Sequence, residues 1–316
     1  MTAWMPVATK ETLQARAAMN QHIRAFFQAR NVMEVETPAL SQFANTDPNI
    51  ESFSIEDTTG KRYLHTSPEY PMKRLLATNI GDIYQISKVW RAGEAGSRHN
   101  PEFSLLEWYR LDFSYHDLMQ EVESLLLELI PQLKGKSHKL SYRQAFLETL
   151  SIDPHCATDI ELSQCMQSQG LTVEGKLDYS TKLDVLMTHC IEPTFATDCL
   201  TFIYDYPSQQ SALATIREDN PPVAERFEVY IGSLELGNGY QELQDAVKNQ
   251  QVLQQENAQR KQNKQTIMPE DQYFIAAMQY GLPMCSGVAL GLDRVLMAKL
   301  NKKTIQDVIS FPWSVA

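Results

Sequence analysis

The segment from Asp82 to Asp112 constrains the fold more than any other part of the chain. An apolar stretch through Ile83, Tyr84, Ile86 and Val89 leads into a loop with Gly93 and Gly96, then into Phe103-Ser104-Leu105-Leu106-Glu107-Trp108-Tyr109-Arg110-Leu111. Two such runs around a polar loop read as an antiparallel hairpin with a long connection. In the second run a period of two puts Phe103, Leu105, Glu107, Tyr109 and Leu111 on one face, so a carboxylate stands in an apolar and aromatic row. Burying it ionised and alone is costly, so it is either exposed or has a cationic partner. That partner is an arginine in a structural ion pair, or a substrate ammonium beside an aromatic platform. The loop Arg91-Ala92-Gly93-Glu94-Ala95-Gly96-Ser97-Arg98-His99-Asn100 suits a polyanion, because guanidinium forks match phosphate oxygens and glycines admit close backbone approach. Ordinary surface loops are also polar and charged.

Upstream, Thr9 is placed to cap a helix whose apolar face takes in Leu13, Ala17, Ile23, Phe26 and Phe27, with Asn31 ending it. A strand is expected over Val32 to Pro38, with Met33 and Val35 facing one way and Glu34 and Glu36 the other. Residues 115–200 read mainly as helices, 207–242 as strands and turns, and 243–265 as a polar helix with a solvated face. Gly232-Ser233 fits a two-residue hairpin turn that pairs Tyr230 with Glu235 and makes Glu228 and Glu235 diagonal neighbours. Two carboxylates that close repel unless a cation joins them, and Mg²⁺ takes one or two carboxylates plus substrate phosphates. A solvated acidic edge is the alternative. After Leu236, Gly237-Asn238-Gly239 is expected to break the strand before Tyr240 and Glu242. Near the end, Gly287, Ala289 and Gly291 alternate with Val288, Leu290 and Leu292, giving a bare strand face on which a flat ligand can lie. Close packing of sheet on helix would explain the glycines but not Arg294, which follows Asp293 at the start of a helix.

With 28 Lys plus Arg against 39 Asp plus Glu, the net charge of -11 weighs against a protein that lives on nucleic acid. No apolar run is long enough for a membrane span, and the N-terminus lacks the marks of a secretion signal, so the cytoplasm is the expected compartment. The cysteines Cys156, Cys165, Cys190, Cys199 and Cys285 are odd in number and show no C-x-x-C spacing, which reads as reduced thiols.

Taken in order, the helix and strand ending at Pro38, the hairpin from Arg91 to Phe103, and Gly287 to Arg294 resemble the three signature motifs of class II aminoacyl-tRNA synthetases. Within the class the chain looks most like the lysyl-tRNA synthetases. The matching pieces are Thr66-Ser67-Pro68-Glu69, Arg98-His99-Asn100-Pro101-Glu102-Phe103 with Glu107 and Tyr109, Gly237-Asn238-Gly239-Tyr240 with Glu242, and Thr304-Ile305 through Phe311-Pro312. The resemblance covers almost the whole chain. It implies an α+β fold, a mostly antiparallel β-sheet flanked by helices, as one catalytic domain over 1–316 with a mainly helical insertion around 115–200. The first motif begins near the N-terminus and only a short tail follows Arg294, so no anticodon-binding domain is expected. A core of this kind is similar to the freestanding lysyl-tRNA synthetase paralogues that attach (R)-β-lysine to a lysine side chain of elongation factor P.

That resemblance implies ATP and Mg²⁺ as cofactors and assigns roles to residues. Arg91 matches the arginine that holds the ATP α-phosphate and the substrate carboxylate. Arg98, His99 and Asn100 match the loop that handles the outer phosphates and adenine, Phe103 the ring that stacks on adenine, and Arg294 the group over its other face and the γ-phosphate. Glu228 and Glu235 match the Mg²⁺ pair. Glu69 matches a residue that meets the substrate's amino group near its carboxyl end, Asn238 one that meets the carboxylate, and Glu107, Tyr109 and Glu242 those that enclose the distal ammonium, with Ser67, Tyr240 and Ala289 also among the substrate-binding positions. Two positions depart from the lysyl pattern: Gly93 stands where an acidic residue is usual, with Glu94 one place later, and Ala289 replaces a glycine. The added methyl is expected to disfavour α-lysine and favour an amino group on the β-carbon. The resemblance also implies a homodimer built on the first motif. Rival readings are a truncated enzyme that still charges tRNA, an asparagine synthetase of the same fold, and a non-catalytic synthetase-like regulator. The lysine-type residues, the acidic charge and the retained Arg91, Arg294, Glu228 and Glu235 speak against them.

Overall fold

In the computed structural model, which describes residues 4–133, 137–172, 175 and 177–316, Thr9 caps helix α1 (Lys10–Gln28) by accepting from the Thr12 N–H. The α1 face turned inward carries Thr12, Met19, Ile23, Phe26 and Phe27. Leu13 and Ala17, expected on that face, are exposed, because the buried stripe starts from Thr12 and continues through Met19. Asn31, in the left-handed conformation at φ 56°, turns the chain into β1 (Met33–Glu34). This strand is shorter than the sequence pattern implies and runs parallel to a later strand, with one more hydrogen bond from Val35 to Tyr84.

A small sheet follows, made of β2 (Leu40–Ser41), β3 (Ser54–Asp57) and β4 (Gly60–Leu64) in the order β2-β4-β3. Helix α2 (Glu69–Leu76) leads to the expected hairpin of β5 (Ile83–Trp90) and β6 (Glu102–Leu111). Next come α3 (Tyr115–Leu129), β7 (His138–Ser141), α4 (Tyr142–Leu150), α5 (Asp159–Ser168) and α6 (Tyr179–Leu186). The chain then forms β8 (Thr201–Pro207), β9 (Ile216–Arg217), β10 (Val223–Ile231) and β11 (Leu234–Gln241). It closes with α7 (Ala246–Gln262), α8 (Gln272–Gly281), β12 (Cys285–Gly291) and α9 (Leu292–Leu300). Residues 1–3, at the N-terminus read for a signal, and 134–136, 173–174 and 176, within the stretch read as mainly helical, lie outside the described residues.

The main sheet has the order β1-β5-β6-β12-β11-β10-β8-β7, with β9 paired to β10. Only the outer pairs β1·β5 and β7·β8 are parallel. Residue parity sorts its middle strands, since successive side chains leave a strand on opposite faces. Leu106, Trp108, Val288 and Leu290 enter one core with α1, α3 and α9. Tyr109 and Cys285 join a second core with Met72, Leu76, Phe274 and Met278 of α2 and α8. A third cluster packs α4, α5 and α6 against Ile203, Tyr206, Ala224 and Tyr230 at the far end of the sheet. The cysteines are free thiols. Among the described residues no helix is long and apolar enough to cross a membrane.

Two further expectations change. Gly237-Asn238-Gly239 does not end the strand: β11 runs through it, with a register shift opposite Val229 and Tyr230. A Cβ on Gly237 would collide with the Leu290 side chain, and one on Gly239 would come within 2.7 Å of the Gly287 carbonyl oxygen, so these glycines let β11 lie flush on β12. The polar helix α7 is not simply solvated, since Asn249, Leu253, Asn257 and Arg260 are buried. Polar groups survive there because they are hydrogen-bonded. The Asn257 amide donates to the Met268 carbonyl, and the Arg260 guanidinium donates to the carbonyls of Asp47, Ile50 and Thr266 and to Glu51.

Candidate active site

The face of the sheet that carries Glu107 opens into a cavity of about 470 Å³. Every residue singled out from the sequence lines it: Arg91, Arg98, His99, Asn100 and Phe103 from the hairpin, Ser67 and Glu69 from the approach to α2, Glu107 and Tyr109 from β6. Glu228, Glu235, Asn238, Tyr240 and Glu242 come from β10, β11 and the residue that follows, with Ala289 and Arg294 from β12 and α9. The register explains how the bare strand meets the carboxylate row: Gly287 lies opposite Tyr109, Ala289 opposite Glu107 and Gly291 opposite Leu105. On its other side Ala289 pairs with Asn238. A Cβ on Gly287 would collide with the Glu242 carboxylate and the Tyr109 ring.

At one end of the cavity three carboxylates converge. Ser67 donates to Glu107 Oε2 and Tyr109 to Glu107 Oε1, both at 2.6 Å. Tyr240 donates to Glu69 Oε1 at 2.6 Å. Among the described residues no arginine pairs with Glu107; the nearby cation is Lys73, whose Nζ lies 2.6 Å from Glu69 Oε1 and 2.6 Å from Glu242 Oε2. Burial, reinforced by the charge of Glu69, pushes the Glu107 carboxyl up to about 7. Burial likewise pushes Glu242 up to about 8 against the opposing pull of Lys73. Burial alone would depress Lys73, but Glu242 and Glu69 outweigh it and keep the ammonium charged. The sequence reading missed Lys73. Its signal was the spacing of four from Glu69, which places acid and base on adjacent turns of one helix.

The other end is cationic. Arg91 lies over the Phe103 ring, 5.2 Å from its centroid, and 4.0 Å from Glu94, which also lines the cavity. Arg98 ties the long loop to the turn of the next hairpin through Ser233, with donor distances of 2.6 Å to its carbonyl and 3.0 Å to its hydroxyl. Arg294 donates to the Glu235 carbonyl at 2.9 Å and lies 2.7 Å from His99 Nε2. Burial and the adjacent Arg294 hold His99 below the ordinary histidine range, which favours the neutral ring that can accept from Arg294. Asn100 is already engaged through both side-chain groups, to the Glu102 carbonyl and the Trp313 N–H, so it anchors the loop against the C-terminal segment.

The turn at Gly232-Ser233 pairs Tyr230 with Glu235 as expected. Arg226, one strand period from Glu228 and unread in the sequence, donates to Glu228 Oε1 at 2.5 Å and to Asn238 Oδ1 at 3.1 Å. Tyr230 donates to the other oxygen of Glu228. Burial raises the Glu228 carboxyl, Arg226 lowers it, and Glu235 raises it again. Among the described residues no group of three or more His, Cys, Asp and Glu side chains is arranged to hold a metal ion. A two-carboxylate donor set does fit Mg²⁺ that completes its shell with phosphate oxygens and water.

Comparison with known proteins finds relatives along nearly the whole chain. Relatives named elongation factor P–(R)-β-lysine ligase include those of Hamiltonella defensa, 42% identical over 317 residues covering 98% of this chain and 97% of the relative. Those of Haemophilus influenzae (strain PittGG) and Vibrio cholerae serotype O1 are each 42% identical, over 314 and 319 residues, with 98% of this chain covered and 97% and 98% of the relatives. The model of the tRNA synthetases of class II (D, K and N) matches residues 3–315, a span that holds all the described strands and helices and the cavity. The chain belongs to that family.

Proposed function

We propose that the chain is a ligase that activates (R)-β-lysine with ATP and transfers the acyl group to a lysine ε-amine of elongation factor P. The observation that carries this reading is one cavity with guanidinium groups at one end and three carboxylates at the other. Such a cavity suits a nucleotide triphosphate and a diamino acid laid end to end. The names of relatives that match nearly end to end support the acceptor and the β-amino acid.

In the first step the substrate carboxylate attacks the α-phosphorus of ATP, an oxygen–phosphorus bond forms, and pyrophosphate leaves. The chain supplies position and charge: Arg91 at the α-phosphate and carboxylate, Arg98, His99 and Arg294 toward the outer phosphates, and Phe103 as a face for adenine. Glu228 and Glu235 would hold Mg²⁺, which neutralises phosphate charge when bound. In the second step the neutral acceptor amine attacks the acyl carbon, the C–N bond of an amide forms, the bond to AMP breaks, and the amine gives up a proton. Ala289, between Glu107 and Asn238 in register, supports the preference for a shifted amino group. Exposed Leu13, Met33 and Leu40 on α1, β1 and β2 support a homodimer through the first motif. The cytoplasm is the compartment this reaction requires.

The test offers elongation factor P and tRNA together to the protein with ATP, Mg²⁺ and either α-lysine or (R)-β-lysine, and weighs the products. Elongation factor P carrying one β-lysyl group is expected. Aminoacylated tRNA with unmodified elongation factor P overturns the assignment, as does the absence of AMP formation.

A further inference from the structure

Lys73 is a buried cation at the amine end that the proposed chemistry leaves unused. It is fully buried, does not line the cavity, and lies behind Glu69 and Glu242 with Nζ 5.4 Å from the Tyr240 ring centroid and 5.9 Å from that of Phe274. No substrate atom reaches it except through those two carboxylates.

The charges around it can be counted. Glu69, Glu107 and Glu242 face one another from α2, β6 and the end of β11. Tyr109 and Tyr240 stay neutral, since burial and the surrounding carboxylates push both hydroxyls well up. The Cys285 thiol on β12 is pushed up in the same way by burial and Glu242. Glu256 on α7 also faces Glu69; Thr46 donates to it, burial pushes its carboxyl up to about 7, and Arg260, already paired with Glu51, opposes that shift only weakly. The carboxylates that act on Lys73 are Glu69 and Glu242, and with Glu107 beside them the count around it is three carboxylates against one ammonium.

We propose that Lys73 is a positioning residue that sets the charge of the amine end: it holds Glu69 and Glu242 in place and leaves two uncompensated negative charges, which an amino acid with two ammonium groups neutralises. The proposal deepens the reading given above and rests on its diamino acid substrate. An apolar residue at position 73 would leave three carboxylates for two ammoniums, and one would have to stay protonated in the complex as well as in the empty cavity. In the wild type the empty cavity relieves its excess charge by partial protonation, with Glu107 at about 7 and Glu242 at about 8. The substrate displaces those protons, so its affinity rises with pH through that range and levels off before its own amines titrate.

The experiment measures binding of (R)-β-lysine and of α-lysine by titration calorimetry between about pH 6 and 9, with proton release read from two buffers of different ionisation enthalpy. Wild type is expected to release about one proton near pH 7 and almost none near pH 9. Lys73→Met is expected to bind roughly tenfold or more weakly at pH 7, with the rise in affinity displaced upward by at least about one pH unit. ATP affinity is expected to be unchanged, which also shows that the variant is folded. The double variant Lys73→Met/Glu69→Gln removes the stranded charge and is expected to return the profile to the wild-type midpoint, so it serves where Lys73→Met does not fold. A wild type that binds ATP but neither lysine overturns the substrate reading itself. A wild type that binds with no proton release, a Lys73→Met profile with an unmoved midpoint, or a double variant whose midpoint stays displaced overturns the role of Lys73 alone.

Discussion

Replacing Gly287 by alanine adds one methyl group at the point where the bare strand supports the amine pocket. Gly287 is held from both sides, opposite Tyr109 on β6 and opposite Tyr240 on β11, so its backbone has no free direction of movement. The new methyl would collide with Glu242 and with the edge of the Tyr109 ring, both buried. One or both must leave its rotamer, and overpacking of this kind typically costs about 1–3 kcal/mol. The same shift moves the groups proposed to hold the distal ammonium, and loss of a charge-assisted contact of about 1.5–3 kcal/mol corresponds to roughly tenfold to a hundredfold. ATP–pyrophosphate exchange with (R)-β-lysine should therefore show KM raised by that factor, with KM for ATP unchanged. Thermal denaturation should show Tm lowered by a few degrees. Gly96→Ala is the control, because a Cβ there meets nothing within 4 Å, and its Tm should match the wild type. A Gly287→Ala protein with unaltered KM and Tm would refute the claim that the bare strand exists to seat Glu242 and Tyr109.

Other outcomes test the same geometry from different sides. Ala289→Gly should move the preference between α- and β-lysine toward α-lysine in the exchange assay; an unchanged ratio removes the steric argument. Glu107, raised to about 7 from 4.5, binds its proton more tightly in the folded chain than in the unfolded one. It therefore favours folding below pH 4.5, and that contribution is lost as pH rises toward 7, by on the order of 3 kcal/mol at most. Chemical denaturation of substrate-free protein at pH 5 and pH 8 should show a smaller loss in Glu107→Gln than in the wild type. Arg294→Ala removes the donor to Glu235 and the neighbour of His99, and should weaken ATP binding roughly tenfold to a hundredfold, with diamino acid binding spared.

What the sequence made legible was whatever rests on local periodicity. The alternation in Phe103 to Leu111 and in Gly287 to Leu292 set both faces of two adjacent strands, and the Gly232-Ser233 turn set the pairing of Tyr230 with Glu235, although a register shift beyond Tyr230 then places Glu228 opposite Asn238. Partners brought from elsewhere were not legible. Lys73 looks like an ordinary helical lysine until β11 returns Glu242 to it, and Arg226 acquires meaning only when Asn238 lies beside it. The composition of α7 promised a solvated surface, because nothing in Asn257 or Arg260 announces the carbonyls that satisfy them. The glycines at 237 and 239 were read as breakers because their obstacle, the neighbouring strand, is distant in sequence.

Arg260 has a consequence for how the cavity opens. Its guanidinium fastens the carbonyls of Asp47 and Ile50 and the Glu51 carboxylate to α7, while the Glu51 carbonyl accepts from Ala92 at the root of the long loop. Asn45, Asp47, Asn49 and Ile50 form part of the cavity wall, so that wall is bolted down before any ligand arrives. A stretch of wall held in this way has less freedom left to lose when a ligand binds, which lowers the entropic cost of filling the cavity.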